Sequence, residues 1–122
     1  MQFYTTAINQ NYKPELHVHY SNRSAAYMKL GKFDLALEDG ERAILVRPDW
    51  AKGYFRKGCA LQALRRPAEA VQAFQHGLAV DPSNAGLKTA LKSAADAQRE
   101  ATEEYQEQSE SELHRASKCG DR

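Results

Sequence analysis

The sequence predicts an all-α fold, a solenoid of stacked helix-turn-helix units, and three observations carry that prediction. Pro14, Pro48 and Pro82 stand 34 residues apart, and each closes a similar stretch of helical pattern. Sliding the chain by the same 34 residues superposes Tyr20 on Tyr54, Ala36 on Ala70 and Pro48 on Pro82. Between the prolines, apolar residues recur at helical spacing on both sides of a turn signal. A fixed period of this length marks an array in which no unit can bury its apolar face alone. Such arrays present a concave surface to a partner and seldom carry chemistry themselves.

The first element expected is a helix over residues 1–12, with Phe3, Tyr4, Ala7 and Ile8 as its apolar face. It reads as the second helix of an earlier repeat whose first helix is absent, as in a fragment or truncated product. Residues 15–48 form the next repeat, two helices around Gly31, with Leu16, Val18, Tyr20, Ala25, Ala26, Tyr27 and Leu30 before the turn. Phe33, Leu35, Ala36, Leu37, Ala43, Ile44 and Leu45 follow it. Glycine suits a helix end because it adopts the left-handed conformation at no steric cost, and Pro48 then blocks continuation.

Residues 49–82 repeat the plan, with helices over Trp50–Leu64 and Pro67–Val80. Here Arg65 takes the turn position, at some strain for a side chain with a Cβ. Pro67 is acceptable because the first helical residue needs no N–H partner. From residue 84 a capping helix is expected, started by Ser83 or Asn84 and made amphipathic by Leu87, Ala90, Leu91 and Ala94. The repeat domain thus spans residues 1–99, with a partial repeat at 1–14. Residues 100–122 carry Glu100, Glu103, Glu104, Glu107, Glu110 and Glu112 with no basic residue between them. Like charges at helical spacing weaken a helix, so this acidic extension is expected to fray into a disordered tail near Cys119.

Composition narrows the function. The 122 residues leave room for one modest core, and 17 basic against 16 acidic side chains give a net charge of +1. No global field draws in nucleic acid or a membrane, and the basic residues are not interleaved with stacking aromatics. No apolar run is long enough to span a bilayer, and the N-terminus is no signal peptide. A reduced, cytoplasmic setting is expected.

One constellation stands out. Asn22 and Arg56 are also 34 apart, so they occupy one register on the first helices of consecutive repeats. Lys52 lies one turn before Arg56 on the same helix face. A guanidinium, an ammonium and a carboxamide together suit the holding of carboxylates, with arginine gripping bidentately. Ala25 and Ala63 leave space for a peptide main chain. Lys29 adds a second positive lobe, and Met28 and Phe55 supply apolar contact. The competing reading is a solvated helix face.

The residues Tyr27, Gly31, Phe33, Ala36, Ala43 and Pro48, then Tyr54, Gly58, Ala70, Phe74 and Pro82, carry a family resemblance. The pattern resembles the tetratricopeptide repeat (TPR) family. The strings YSNRSAAYMKLGKFDLALEDG and RPDWAKGYFRKG are similar to the TPR domains of the Hsp70–Hsp90 organising cochaperones, over about residues 3–100. That resemblance implies a protein-protein interaction adaptor binding the acidic C-terminal peptide of heat-shock chaperones through a carboxylate clamp. Of the five clamp side chains in that family, three map onto Asn22, Lys52 and Arg56. The other two belong to a helix that the sequence does not contain.

The alternatives are an assembly module that self-associates through Phe3, Tyr4 and Ile8, or a targeting segment of a larger multidomain enzyme. The acidic run is also a candidate internal ligand for the basic groove. An enzyme, a metal and a cofactor are not expected. His17 and His19 lack a third ligand at suitable spacing and read as partly exposed. Cys59 reads as a packing residue, with a reactive thiol near Arg56 as the rival. There is no glycine-rich phosphate loop.

Overall fold

The computed structural model describes residues 15–120, and side chains over residues 15–103. The expected helix at 1–12 lies outside the described residues. Within them five helices follow one another: α1 (Leu16–Lys29), α2 (Phe33–Val46), α3 (Ala51–Ala63), α4 (Pro67–Val80) and α5 (Ala85–Gly120). Each helix packs on the next; α1 also touches α3, and α3 touches α5, whereas α2 and α4 do not meet. The first helices therefore stand side by side along one face.

Both hairpin turns end in the same backbone motif. At the first, Gly31 has φ 76°, the Lys32 N–H donates to the Tyr27 carbonyl at 2.9 Å, and the Gly31 N–H to Met28 at 3.1 Å. At the second, Arg65 has φ 65°, the Arg66 N–H donates to Leu61 at 2.9 Å, and the Arg65 N–H to Gln62 at 3.0 Å. These paired bonds satisfy carbonyls that the helix end would leave open. Pro67 opens α4 as its first residue. The Asn84 side chain caps α5, its Oδ1 accepting from the Leu87 N–H at 2.9 Å.

Small residues set the spacing of the helices. Ala36, Ala43, Ala60 and Ala70 are fully buried, as are Phe74 and Leu87. A Cβ on Gly58 would overlap the Phe74 ring, so α3 and α4 approach at a distance that only glycine permits. The α1–α2 hairpin is held differently. Asp39 is buried and takes two bonds from Arg23, at 2.6 and 3.0 Å, and one from Arg42 at 2.9 Å. Burial alone would raise its pKa, but the Arg23 and Arg42 hydrogen bonds outweigh it and hold the carboxyl below its ordinary range. Beside this pair the Ser24 hydroxyl donates to the Ala36 carbonyl at 2.8 Å.

α5 is helical to Gly120, over a stretch whose Glu, Gln and Ala are strong helix formers. Two expectations need correction. Leu30 and Leu45, placed on apolar faces, are largely exposed, Leu30 at the C-cap of α1 and Leu45 in the last turn of α2. His17, expected to be partly exposed, is buried edge-on against Trp50 with ring centroids 4.5 Å apart, because α1 packs on α3 there.

Candidate functional site

The seam between α1 and α3 carries Arg56, one of the residues singled out from the sequence. Arg56 is half-buried, and its Nε donates to the Ser21 hydroxyl at 3.0 Å across the seam. Its guanidinium carbon also lies 5.9 Å from the centre of the Phe55 ring. Asn22, the next residue after Ser21, is exposed. Lys52 is exposed in the first turn of α3, one turn before Arg56. Lys52 and Arg56 make no ion pair with a carboxylate among the described residues, and neither do Lys29, Lys32, Arg65, Lys88 and Lys92. By contrast Arg23, Arg42, Arg47, Lys57, Arg66 and Arg99 are all paired.

Beside Lys52 a cleft of about 560 Å³ opens between the first turns of α3 and α5. Trp50, Lys52, Phe55 and Val80 line it, and Asp49 and Asp81 add carboxylates. Asp49 is engaged by Arg47 at 3.1 Å, and that hydrogen bond is the main cause of its lowered pKa. Asp81 accepts from Ser83 and from the Asn84 amide at 3.2 and 3.3 Å. Phe55 belongs to this cleft and also packs on the core, 6.2 Å from the Phe74 ring.

The remaining candidates separate from that cleft. Ala25 and Met28 are half-buried and Lys29 is exposed, all on α1. Lys29 shares a face with Asn22, about 10 Å further along the axis. The start of α5 borders Lys52, whereas Gln98, Ala101 and Thr102 border Arg66, Pro67 and Glu69 at the opposite end of the α3–α4 hairpin.

Burial pushes the Cys59 thiol up, and the nearby Arg56 charge only partly offsets this, which fits a packing role. Among the described residues no group of three His, Cys, Asp or Glu side chains could hold a metal, and no helix is long and apolar enough to cross a membrane. Sequence reasoning missed Ser21 and the Arg23–Asp39 pair. Both are contacts between non-equivalent repeat positions, which a search for residues 34 apart does not reach.

Models of the tetratricopeptide repeat match residues 20–49 and 51–84. The chain belongs to the tetratricopeptide repeat family. Human tetratricopeptide repeat protein 28 is 50% identical over 82 residues, 67% of this chain and 3% of that protein. The Hsp70-Hsp90 organizing protein of Triticum aestivum is 49% identical over 84 residues, 69% of this chain and 14% of its own length. The chain thus spans a small part of these TPR relatives. Among solved structures, the first TPR of Spaghetti (RPAP3) bound to the HSP90 peptide SRMEEVD superposes with a TM-score of 0.65 at 30% identity, covering 71% of this chain and 69% of that one.

Proposed function

We propose that this TPR chain is a protein-binding adaptor of cochaperone type, which holds the acidic C-terminal peptide of heat-shock chaperones in the cytoplasm. Arg56 and Lys52 take the terminal carboxylates, Asn22 orients them, and Phe55 with the cleft beside Lys52 meets the residues upstream. Ala25, Met28 and Lys29 are assigned to a separate, outlying stretch of the peptide. The site holds its ligand rather than transforming it, so no catalysis is assigned.

The observation that carries this reading is the state of the cations. Arg56 lacks a carboxylate partner among the described residues, whereas five of the six other described arginines have one. A guanidinium left without an anion on the inner face of the stack is matched to an incoming carboxylate. The solved TPR relative bound to an HSP90 peptide supports the same chemistry.

Calorimetric titration with the peptide Ser-Arg-Met-Glu-Glu-Val-Asp and with its C-terminally amidated twin tests this. The free acid should bind at least about tenfold more tightly than the amide, and Arg56→Ala should remove that preference, since one hydrogen bond to a charged group contributes roughly 1.5–3 kcal/mol. Equal affinity for the two peptides in a folded protein would refute the reading.

A further inference from the structure

We infer that Ser21 is the positioning residue for Arg56, presenting its terminal guanidinium nitrogens to a ligand carboxylate; this rests on the binding role proposed above. Ser21 is 1% exposed, and its Oγ accepts from Arg56 Nε at 3.0 Å. The bond joins α1 to α3, so it fixes the guanidinium to a second helix rather than to its own. Phe55 flanks the same group through its ring face. With Nε tied, the plane of the fork is set, and much of the rotamer freedom of a long side chain is removed before any ligand arrives.

The choice of partner matters as much as the bond. Arg23 shows the alternative, because its Nε and one terminal nitrogen both grip the buried Asp39 carboxylate. That guanidinium is neutralised and its fork is spent. Ser21 satisfies one N–H of Arg56 with a neutral oxygen, which leaves the positive charge intact. Neither terminal nitrogen of Arg56 has a carboxylate partner among the described residues, so the end-on pair stays open for a bidentate contact. The register explains how the serine comes to be there. Ser21 stands 34 residues before Phe55, and a serine at the register that the next repeat gives to an aromatic leaves room for the arginine across the seam.

The test uses the full chain, the free-acid peptide Ser-Arg-Met-Glu-Glu-Val-Asp and its amide. Ser21→Ala should keep the helical circular-dichroism signal, weaken free-acid binding about tenfold and leave amide binding unchanged. Ser21→Thr, which retains the hydroxyl, should restore the preference for the free acid. In nitrogen-15 spectra the Arg56 Nε–H should be dispersed and slow to exchange, and should move to the free-arginine position in Ser21→Ala. An unchanged ratio of free-acid to amide affinity in Ser21→Ala, with the ratio lost in Arg56→Ala, overturns the role of Ser21 and leaves the binding function standing. An equal loss for both peptides overturns it too, because that marks a general packing defect. A wild-type protein with no preference for the free acid overturns the binding function, and the role of Ser21 with it.

Discussion

In the α1–α2 hairpin Asp39 is buried beneath Arg23 and Arg42, and Ser24 reaches across to the Ala36 carbonyl. At the matching positions of α3–α4 stand Ala73 and Gly58, and the space between the helices is filled by Phe74. Position 40 of the first hairpin, which corresponds to Phe74, is glycine. The two hairpins share a turn motif, a register and a family, yet one is closed by a charged network and the other by an aromatic ring. Repeat geometry thus constrains the spacing of the helices and leaves the chemistry of closure free. Because each repeat contacts only its neighbours, the two solutions can coexist without disturbing one another.

The largest effect should come from the apolar hairpin. Phe74→Ala removes a fully buried ring, and such truncations cost about 3–5 kcal/mol. Urea denaturation followed by circular dichroism should show the midpoint fall steeply, enough to unfold much of the domain at ambient temperature. A loss near 1 kcal/mol would mean that the α3–α4 pair repacks and that the aromatic is not what closes it.

Asp39→Asn should cost less, about 2 kcal/mol, since it keeps the shape and weakens bonds from charged donors. It also separates the hairpins by pH. The carboxyl is held below its ordinary range in the folded chain, so its contribution is present above the unfolded pKa of about 3.9 and is lost as pH falls through the folded value. Stability of the native protein should therefore drop on acidification below about pH 4, with amides of α1 and α2 losing exchange protection first. In Asp39→Asn that acid limb should flatten, and an identical acid limb in both proteins would rule Asp39 out as its source.

The helix boundaries were legible because the signals for them are local. Gly31 and Arg65 needed no tertiary information to mark the turns, and the prolines fixed the period. Equal phase in consecutive repeats places Asn22 and Arg56 at one register on α1 and α3. What could not be read was set by packing between unlike positions. Ser21 meets Arg56 at a separation of 35 residues, and Arg23 meets Asp39 at 16, distances that no periodicity announces. Nothing local to Asp39 announces that Arg23 and Arg42 cover it. The exposed Leu30 and Leu45 show the reverse failure, in which an apolar residue on a plausible face has no neighbour to meet.

The smallest effect distinguishes the two turns. Arg65 holds a left-handed conformation that Gly31 adopts freely. A residue with a Cβ in that region is strained by roughly 1–2 kcal/mol, while glycine gives back about 0.5–1 kcal/mol through the greater freedom of the unfolded chain. Arg65→Gly should therefore stabilise the protein by about 0.5–1 kcal/mol, and Gly31→Ala should destabilise it by a similar amount. Thermal unfolding of the two variants should move in opposite directions by a few degrees. Should both variants lose stability, the Arg65 side chain must be contributing to the second turn in a way that its backbone strain conceals. The hairpins would then differ at their turns as well as in their closure.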